Sequence, residues 1–259
     1  MNGKAVRLPD NSYEHFALVY DGAGLDRFSL GLEFRIRRIA SDGSVRRIAD
    51  LACGTGSLLR RLSPLGAEMV GLDASAAMIR KAARKGSGSR FIVGALEALP
   101  LEGPFDLLLS VYDSLNYLDS EEALGRVFRE ALRIAAPGGT FLFDLNDREA
   151  YESIWGNPEA FVEETGGGRL TIRSTWSARE GIAEAEVLVE AGEGGEERAW
   201  VSRHRQRYHP PESVARALES AGWGSVTRES IDPFPGEEVL PGGKILWLAR
   251  RTRWRGVGE

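Results

Sequence analysis

Apolar residues along this chain follow two rhythms. From Arg46 to Leu145, short apolar runs alternate with stretches of helical spacing, and after Phe161 the period drops to two. In the first region Arg46–Leu51, Glu68–Leu72, Arg90–Gly94, Phe105–Val111 and Gly139–Leu145 read as strands. Leu58, Leu59 and Leu62 open a helix after Gly56, and Ala76–Lys85 and Glu121–Ala135 form two more. The Phe105–Val111 run, FDLLLSV, is nearly unbroken, as a strand buried on both faces must be. Strands alternating with helices predict a mostly parallel α/β sheet with right-handed crossovers.

The second region predicts four strands, Phe161–Glu164, Leu170–Trp176, Ile182–Val189 and Ala199–Tyr208. Glycine turns at Gly166–Gly168, Gly181 and Gly192–Gly195 separate them, so the segment reads as an antiparallel β meander inserted into the α/β pattern. The acidic run Glu190–Glu197 is expected at a solvated hairpin tip. Pro210-Pro211 then opens a helix over Glu212–Ser220, which Gly222 ends. Trp223–Glu229 and Lys244–Arg250 are two final strands joined by the loop Asp232–Gly243, and Trp254–Glu259 is a frayed tail. Ahead of the first strand, Asn11–Ile39 predicts two helical pieces around a break at Gly22 and Gly24, placed to cover a binding face. The expected organisation is an N-terminal helical lid (1–40), a Rossmann-like core (41–156), the β insertion (157–209) as a roof, and the remainder of the core sheet (210–259).

Chemistry concentrates where the first strand meets RIADLACGTGS (Arg47–Ser57). Strand, glycine turn and helix leave backbone N–H groups facing a ligand, and Gly54 and Gly56 let it approach the backbone. The third position of a dinucleotide fingerprint is Leu59 rather than glycine, and no lysine marks a P-loop. Asp50 before the turn disfavours a pyrophosphate and favours a cationic or hydroxyl-bearing ligand. Asp73 ends the next strand 17 residues beyond Gly56, near the separation of about 20 at which a strand-end carboxylate accepts ribose hydroxyls.

Composition adds exclusions. The net charge of -5 gives no broad pull toward nucleic acid or anionic membrane. No run approaches the roughly 18 apolar residues of a membrane span, and the N-terminus lacks a signal-peptide pattern, so the expected location is cytoplasmic. A single cysteine, Cys53, permits neither an internal disulfide nor a multi-cysteine metal site, and no metal is expected. Beside Asp50 it reads as a small packing residue, since a neighbouring carboxylate disfavours a thiolate.

DLACGTGS (Asp50–Ser57), VGLDASAAMIRKA (Val70–Ala82), FDLLLSVYDSLNYL (Phe105–Leu118) and LRIAAPGGTFLFDL (Leu132–Leu145) together resemble the motifs of the class I S-adenosylmethionine-dependent methyltransferases. The resemblance spans Tyr13 to Arg250. It implies a seven-stranded sheet with its last strand antiparallel, S-adenosyl-L-methionine across the carboxyl ends of the first strands, and methyl transfer to nitrogen or oxygen of a small molecule. It places Ala52, Cys53, Gly54 and Gly56 against the methionine moiety and Asp73 on the ribose. Ala74, Met78, Leu96 and Glu97 flank the adenine, Ser110 lies near the methyl, and Tyr20 and Asp50 complete the donor site. Many relatives carry an aspartate in the third-strand loop where this chain has Gly94-Ala95-Leu96, so Glu97 or the backbone must serve the adenine amine. YDSLNYL (Tyr112–Leu118), the meander and Arg203–Trp223 resemble a bacterial small-molecule subgroup whose insertion roofs the acceptor pocket. Tyr20, Tyr112, Asp113, Asn116, Asn146, His204 and His209 are the polar candidates near the strand ends and roof, with His204 also readable as an ordinary surface histidine. The expected partner is a small acceptor, with a second copy of the chain a candidate and nucleic acid and membrane not expected. Two other readings share the motifs: a non-catalytic binder of the donor or of S-adenosylhomocysteine, and a nicotinamide-dependent oxidoreductase.

Overall fold

A computed structural model describes residues 5–41, 43–193, 196–231 and 243–252. In chain order the elements are β1 (Val6–Arg7), α1 (Phe16–Val19), α2 (Arg27–Gly31), α3 (Glu33–Ile39), β2 (Arg47–Leu51), α4 (Ser57–Leu62), β3 (Glu68–Asp73), α5 (Ala76–Arg84), β4 (Arg90–Val93) and β5 (Phe105–Ser110). They continue with α6 (Glu121–Ile134), β6 (Ala135–Asn146), α7 (Arg148–Ala150), β7 (Phe161–Thr165), β8 (Gly168–Ser177), β9 (Ile182–Glu193), β10 (Glu196–Arg207), α8 (Pro211–Ala221), β11 (Ser225–Ile231) and β12 (Lys244–Arg250).

Seven strands form the main sheet in the order β11-β12-β6-β5-β2-β3-β4. β2 to β6 pair in parallel, while β12 runs antiparallel to both neighbours, between β6 and β11. The expected α/β class with an antiparallel last strand is therefore what the chain adopts. Because β2 sits between β3 and β5, the connections leave it in opposite directions, and a crevice opens at the carboxyl ends there.

Alternation along the strands sends successive side chains to opposite faces of this sheet. Ala49, Leu108 and Phe141 join Val127 and Phe128 of α6 and Leu218 of α8 in one cluster. Ile48, Leu107, Leu109 and Leu142 meet Leu58 and Leu62 of α4 in the other, which also takes Phe28, Leu32 and Ile36. Ser120 caps α6 by accepting from the Ala123 N–H at 3.1 Å, with Glu121 and Glu122 in the first turn. Pro211 begins α8, and Gly222, at φ 97°, ends it.

The inserted β sheet has five strands in the order β1-β10-β9-β8-β7. The four meander strands are antiparallel as expected, but β1 from the N-terminus adds in parallel to β10 through Val6 opposite Trp200. A two-residue strand carries no periodicity and is invisible in the pattern. The N-terminal segment also forms three short helices rather than two pieces. The break at Gly22 and Gly24 falls between α1 and α2, and Leu32 is the hinge between α2 and α3. Trp223 precedes β11 instead of belonging to it, because its indole N–H donates to the Phe128 carbonyl beneath α8. The Asp232–Gly243 loop, the Trp254–Glu259 tail and the tip of the acidic hairpin fall largely outside the described residues.

Candidate functional site

The glycine loop at the end of β2 is held by its neighbour strand. Ala52 (φ 70°) and Cys53 both donate their N–H to the Leu72 carbonyl, at 2.7 and 2.9 Å. The Asp73 carboxylate accepts from the Gly54 N–H through Oδ2 and the Ser75 N–H through Oδ1, each at 2.9 Å. At Gly54 a Cβ would meet open space, so the loop face is free for a ligand. At Gly56 (φ 70°) it would come within 2.9 Å of Ala82 and 3.0 Å of Phe91. That glycine therefore allows α4 to start close against α5 and β4.

Asp50 is 2% exposed, and its Oδ1 has no hydrogen-bond partner among the described residues. Burial, and then the nearby Asp73 charge, push its carboxyl up to about 7. An orphaned carboxylate oxygen beside an open glycine face is a receptor for a cation or a hydroxyl. Burial likewise raises the Cys53 thiol, reinforced by Asp50 and Asp73, which keeps it a packing residue.

A cavity of about 1100 Å³ starts at this loop and runs beneath the inserted sheet. α1 and the turn after it close one side, with the Asp21 carboxylate accepting from Thr55 Oγ1 and paired with Lys85 at 2.9 Å and Lys81 at 3.2 Å. Ile172, Ser174, Ala185 and Val187 of β8 and β9 form the roof.

Midway along the cavity lies a buried ionic cluster. Lys244 Nζ donates to Asp113 Oδ1 and, at 2.8 Å, to Asn146 Oδ1, and lies 3.2 Å from Asp144 Oδ2. It also sits 4.8 Å from the centre of the Phe28 ring and 5.1 Å from that of Tyr112. Asp113 Oδ2 accepts from Gln206 at 2.6 Å, and Asp144 accepts the N–H groups of Tyr112 and Asp113. Those two residues stand at φ 65° and 50°, a left-handed pair without glycine. Asp144 holds that costly turn in place, and each charged group of the cluster finds its partners within it.

Beyond it is a chain of uncharged polar groups. Tyr13 Oη donates to Tyr117 Oη at 2.7 Å, Tyr117 Oη lies 3.2 Å from His204 Nδ1, and His204 Nε2 lies 3.0 Å from Ser202 Oγ. His204 is 2% exposed, which replaces the surface-histidine alternative: β10 turns it inward against Phe16 and Tyr13. Burial lowers its imidazole to about 4, against smaller opposing effects of the Ser12 main chain and Asp10.

The cavity brings together Tyr20, Asp50, Ala52, Cys53, Gly54, Asp73, Ala74, Met78, Leu96, Tyr112, Asp113, Asn146 and His204. Five of the singled-out residues do not line it. Gly56 serves packing, and Glu97 points outward to an ion pair with Arg126 at 2.5 Å. Ser110 is wholly buried behind the wall. Asn116 donates to the Arg207 carbonyl and accepts from the Asn146 N–H, joining the core to β10. His209 faces the Leu118 carbonyl at 3.2 Å. Sequence reasoning passed over Lys244, Asp144, Gln206 and Tyr117, the partner of Tyr13. Lys244 carried one usable signal, a lone lysine opening an apolar strand.

Residues 48–139 match the family model described as a methyltransferase domain. Over 254 residues the chain is 30% identical to the putative methyltransferase YqeM of Bacillus subtilis (strain 168), covering 93% of this chain and 98% of the relative. Among solved structures, an S-adenosylmethionine-dependent methyltransferase from Clostridium acetobutylicum superposes with a TM-score of 0.75 at 20% identity, covering 93% of this chain and all of that one. CalS10, an amino pentose methyltransferase from Micromonospora echinaspora solved with S-adenosylmethionine bound, gives 0.68 at 21% identity, covering 94% and 99%.

Proposed function

Because the chain belongs to the class I S-adenosylmethionine-dependent methyltransferases, we propose that it methylates a nitrogen or oxygen of a small molecule held between the strand ends and the inserted sheet. Family membership sets aside the nicotinamide alternative. The observation that carries the reading is the single cavity running from Asp50 to His204. Its volume of about 1100 Å³ exceeds the roughly 300–1,000 Å³ of a one-ligand pocket, so a donor and a compact acceptor fit end to end.

In this reading the donor's cationic methionine end lies against Gly54 and the unpartnered oxygen of Asp50. Asp73, whose oxygens each accept one backbone N–H, keeps lone pairs for the ribose hydroxyls. Ala74, Met78 and Leu96 flank the adenine, and Tyr20 closes over the donor. The acceptor occupies the space by Tyr112, Asn146 and His204. S-adenosylmethionine supplies an activated methyl on a sulfonium that leaves as a neutral thioether. The protein's work is to align the two molecules and exclude water, which the roof and α1 serve.

Titration calorimetry tests the donor half. S-adenosylmethionine and S-adenosylhomocysteine bind and NADH does not. Asp73→Ala weakens donor binding by about 10- to 100-fold, the worth of hydrogen bonds to a charged group. Unchanged affinity removes Asp73 from the donor site.

A further inference from the structure

Granting methyl transfer in this cavity, we infer that Tyr117 and His204 form a proton relay for the acceptor, and that the acceptor's nucleophile is a hydroxyl group. Three observations support this. The hydroxyl of Tyr117 lies in the cavity wall only seven residues past Ser110, the end of β5, and within 3.2 Å of His204 Nδ1. The other imidazole nitrogen is held by Ser202 at 3.0 Å, giving a base oriented by a third group. Tyr13 donates into the Tyr117 oxygen at 2.7 Å, where negative charge would otherwise build up as its proton leaves.

The neighbouring charges point to an uncharged acceptor. Lys244 and Asp113, which line the cavity beside Gln206, are paired with each other and with Asn146 and Gln206. At the relay itself the cavity wall is phenol and imidazole, with Asp10 acting on His204 more weakly than burial does. His204 stays neutral through the physiological range because of burial, and Tyr117 is held as a neutral phenol for the same reason. A weak neutral base cannot strip an ammonium ion before attack. It can take the proton of a hydroxyl, which becomes strongly acidic as the oxygen bonds to carbon.

The step balances. The acceptor oxygen forms its bond to the methyl carbon as the carbon–sulfur bond breaks, and that electron pair leaves on sulfur. The hydroxyl proton passes to Tyr117 Oη, whose own proton passes to His204 Nδ1. The positive charge that began on the sulfonium ends on the imidazolium, beside Ser202.

Two measurements test the relay. In protein labelled with ¹⁵N-histidine, His204, assigned by its loss in His204→Gln, is expected to be neutral at pH 7 with its proton on Nε2. A proton on Nδ1, or an imidazolium, overturns the relay. Turnover is then read as S-adenosylhomocysteine formed from the matched probes cyclohexanol and cyclohexylamine, and benzyl alcohol and benzylamine. The alcohols are methylated, and Tyr117→Phe and His204→Gln each lower kcat by about 100-fold, with KM for the alcohol and donor Kd within about twofold. Turnover confined to amines, no turnover of either alcohol, or alcohol turnover that survives both substitutions overturns the inference. Failure of the wild-type protein to bind S-adenosylmethionine at all instead sinks the methyltransferase reading on which it rests.

Discussion

Two pairs of carboxylates, each with one buried and one half-buried member, stand in the same crevice and have opposite surroundings. Asp113 and Asp144 are satisfied by Lys244, Gln206 and two backbone N–H groups. Asp50 and Asp73 have two backbone donors between them, and one oxygen of Asp50 has no partner among the described residues. The saturated pair has nothing left to offer a ligand and fixes the backbone. The under-satisfied pair keeps unused lone pairs, which suits a cation or a hydroxyl.

The largest expected effect falls on the saturated pair. Lys244→Met leaves the buried Asp144 and the half-buried Asp113 without their cation and is expected to cost about 3–5 kcal/mol in urea unfolding. A loss below about 1 kcal/mol would mean the cluster is ordinary surface chemistry and would erase the contrast.

A smaller effect, and the sharper probe of the other pair, is pH. The Asp50 carboxyl titrates near 7 in the folded protein against about 3.9 when unfolded. The fold therefore favours the protonated form, so the stability Asp50 contributes is present below about pH 4 and is lost as pH rises to about 7. A cationic donor favours the ionised form. Donor affinity should rise with pH through 7, falling by up to about tenfold per unit below it, with proton release on binding. Calorimetry in buffers of differing ionisation enthalpy reads both, and Asp50→Asn should flatten the dependence. A wild-type profile already flat across pH 7 refutes the unpaired-carboxylate account.

The smallest effect comes from outside the crevice. Glu97, paired with Arg126 on the surface, should tolerate Glu97→Gln with a stability change under about 1 kcal/mol and unaltered donor affinity by calorimetry. Weakened donor binding in that variant would extend the donor site to a residue that now faces away from it.

Much of this was legible in the sequence. Apolar runs of FDLLLSV type and the glycine turns give the strands of both sheets except β1. The glycine loop and the Asp73 strand end, which meet at one end of the cavity, are legible too, because those features depend on local periodicity and backbone conformation. The far end of the cavity depends on pairings between distant residues. Lys244 meets Asp113 across 131 positions, and Tyr13 meets Tyr117 across 104. Neither lysine, aspartate nor tyrosine announces such a partner. His204 sits in a strand where only the register decides whether it faces water or the core, and pairing with Ala185 settles it inward. Glu97 and Asn116 illustrate the converse, since correct placement in the chain left the direction of the side chain undetermined.

The N-terminal arm bears on how the protein is made. Asn11 accepts from the Arg205 N–H across 194 positions of sequence, and Leu8 donates to the Val201 carbonyl beside it. During synthesis the first residues emerge long before β10 exists. The core strands that carry Asp50 and Asp73 are complete while the arm still has nothing to pair with. The cavity beneath the inserted sheet therefore gains the wall that the arm and β10 build together only once β10 has emerged.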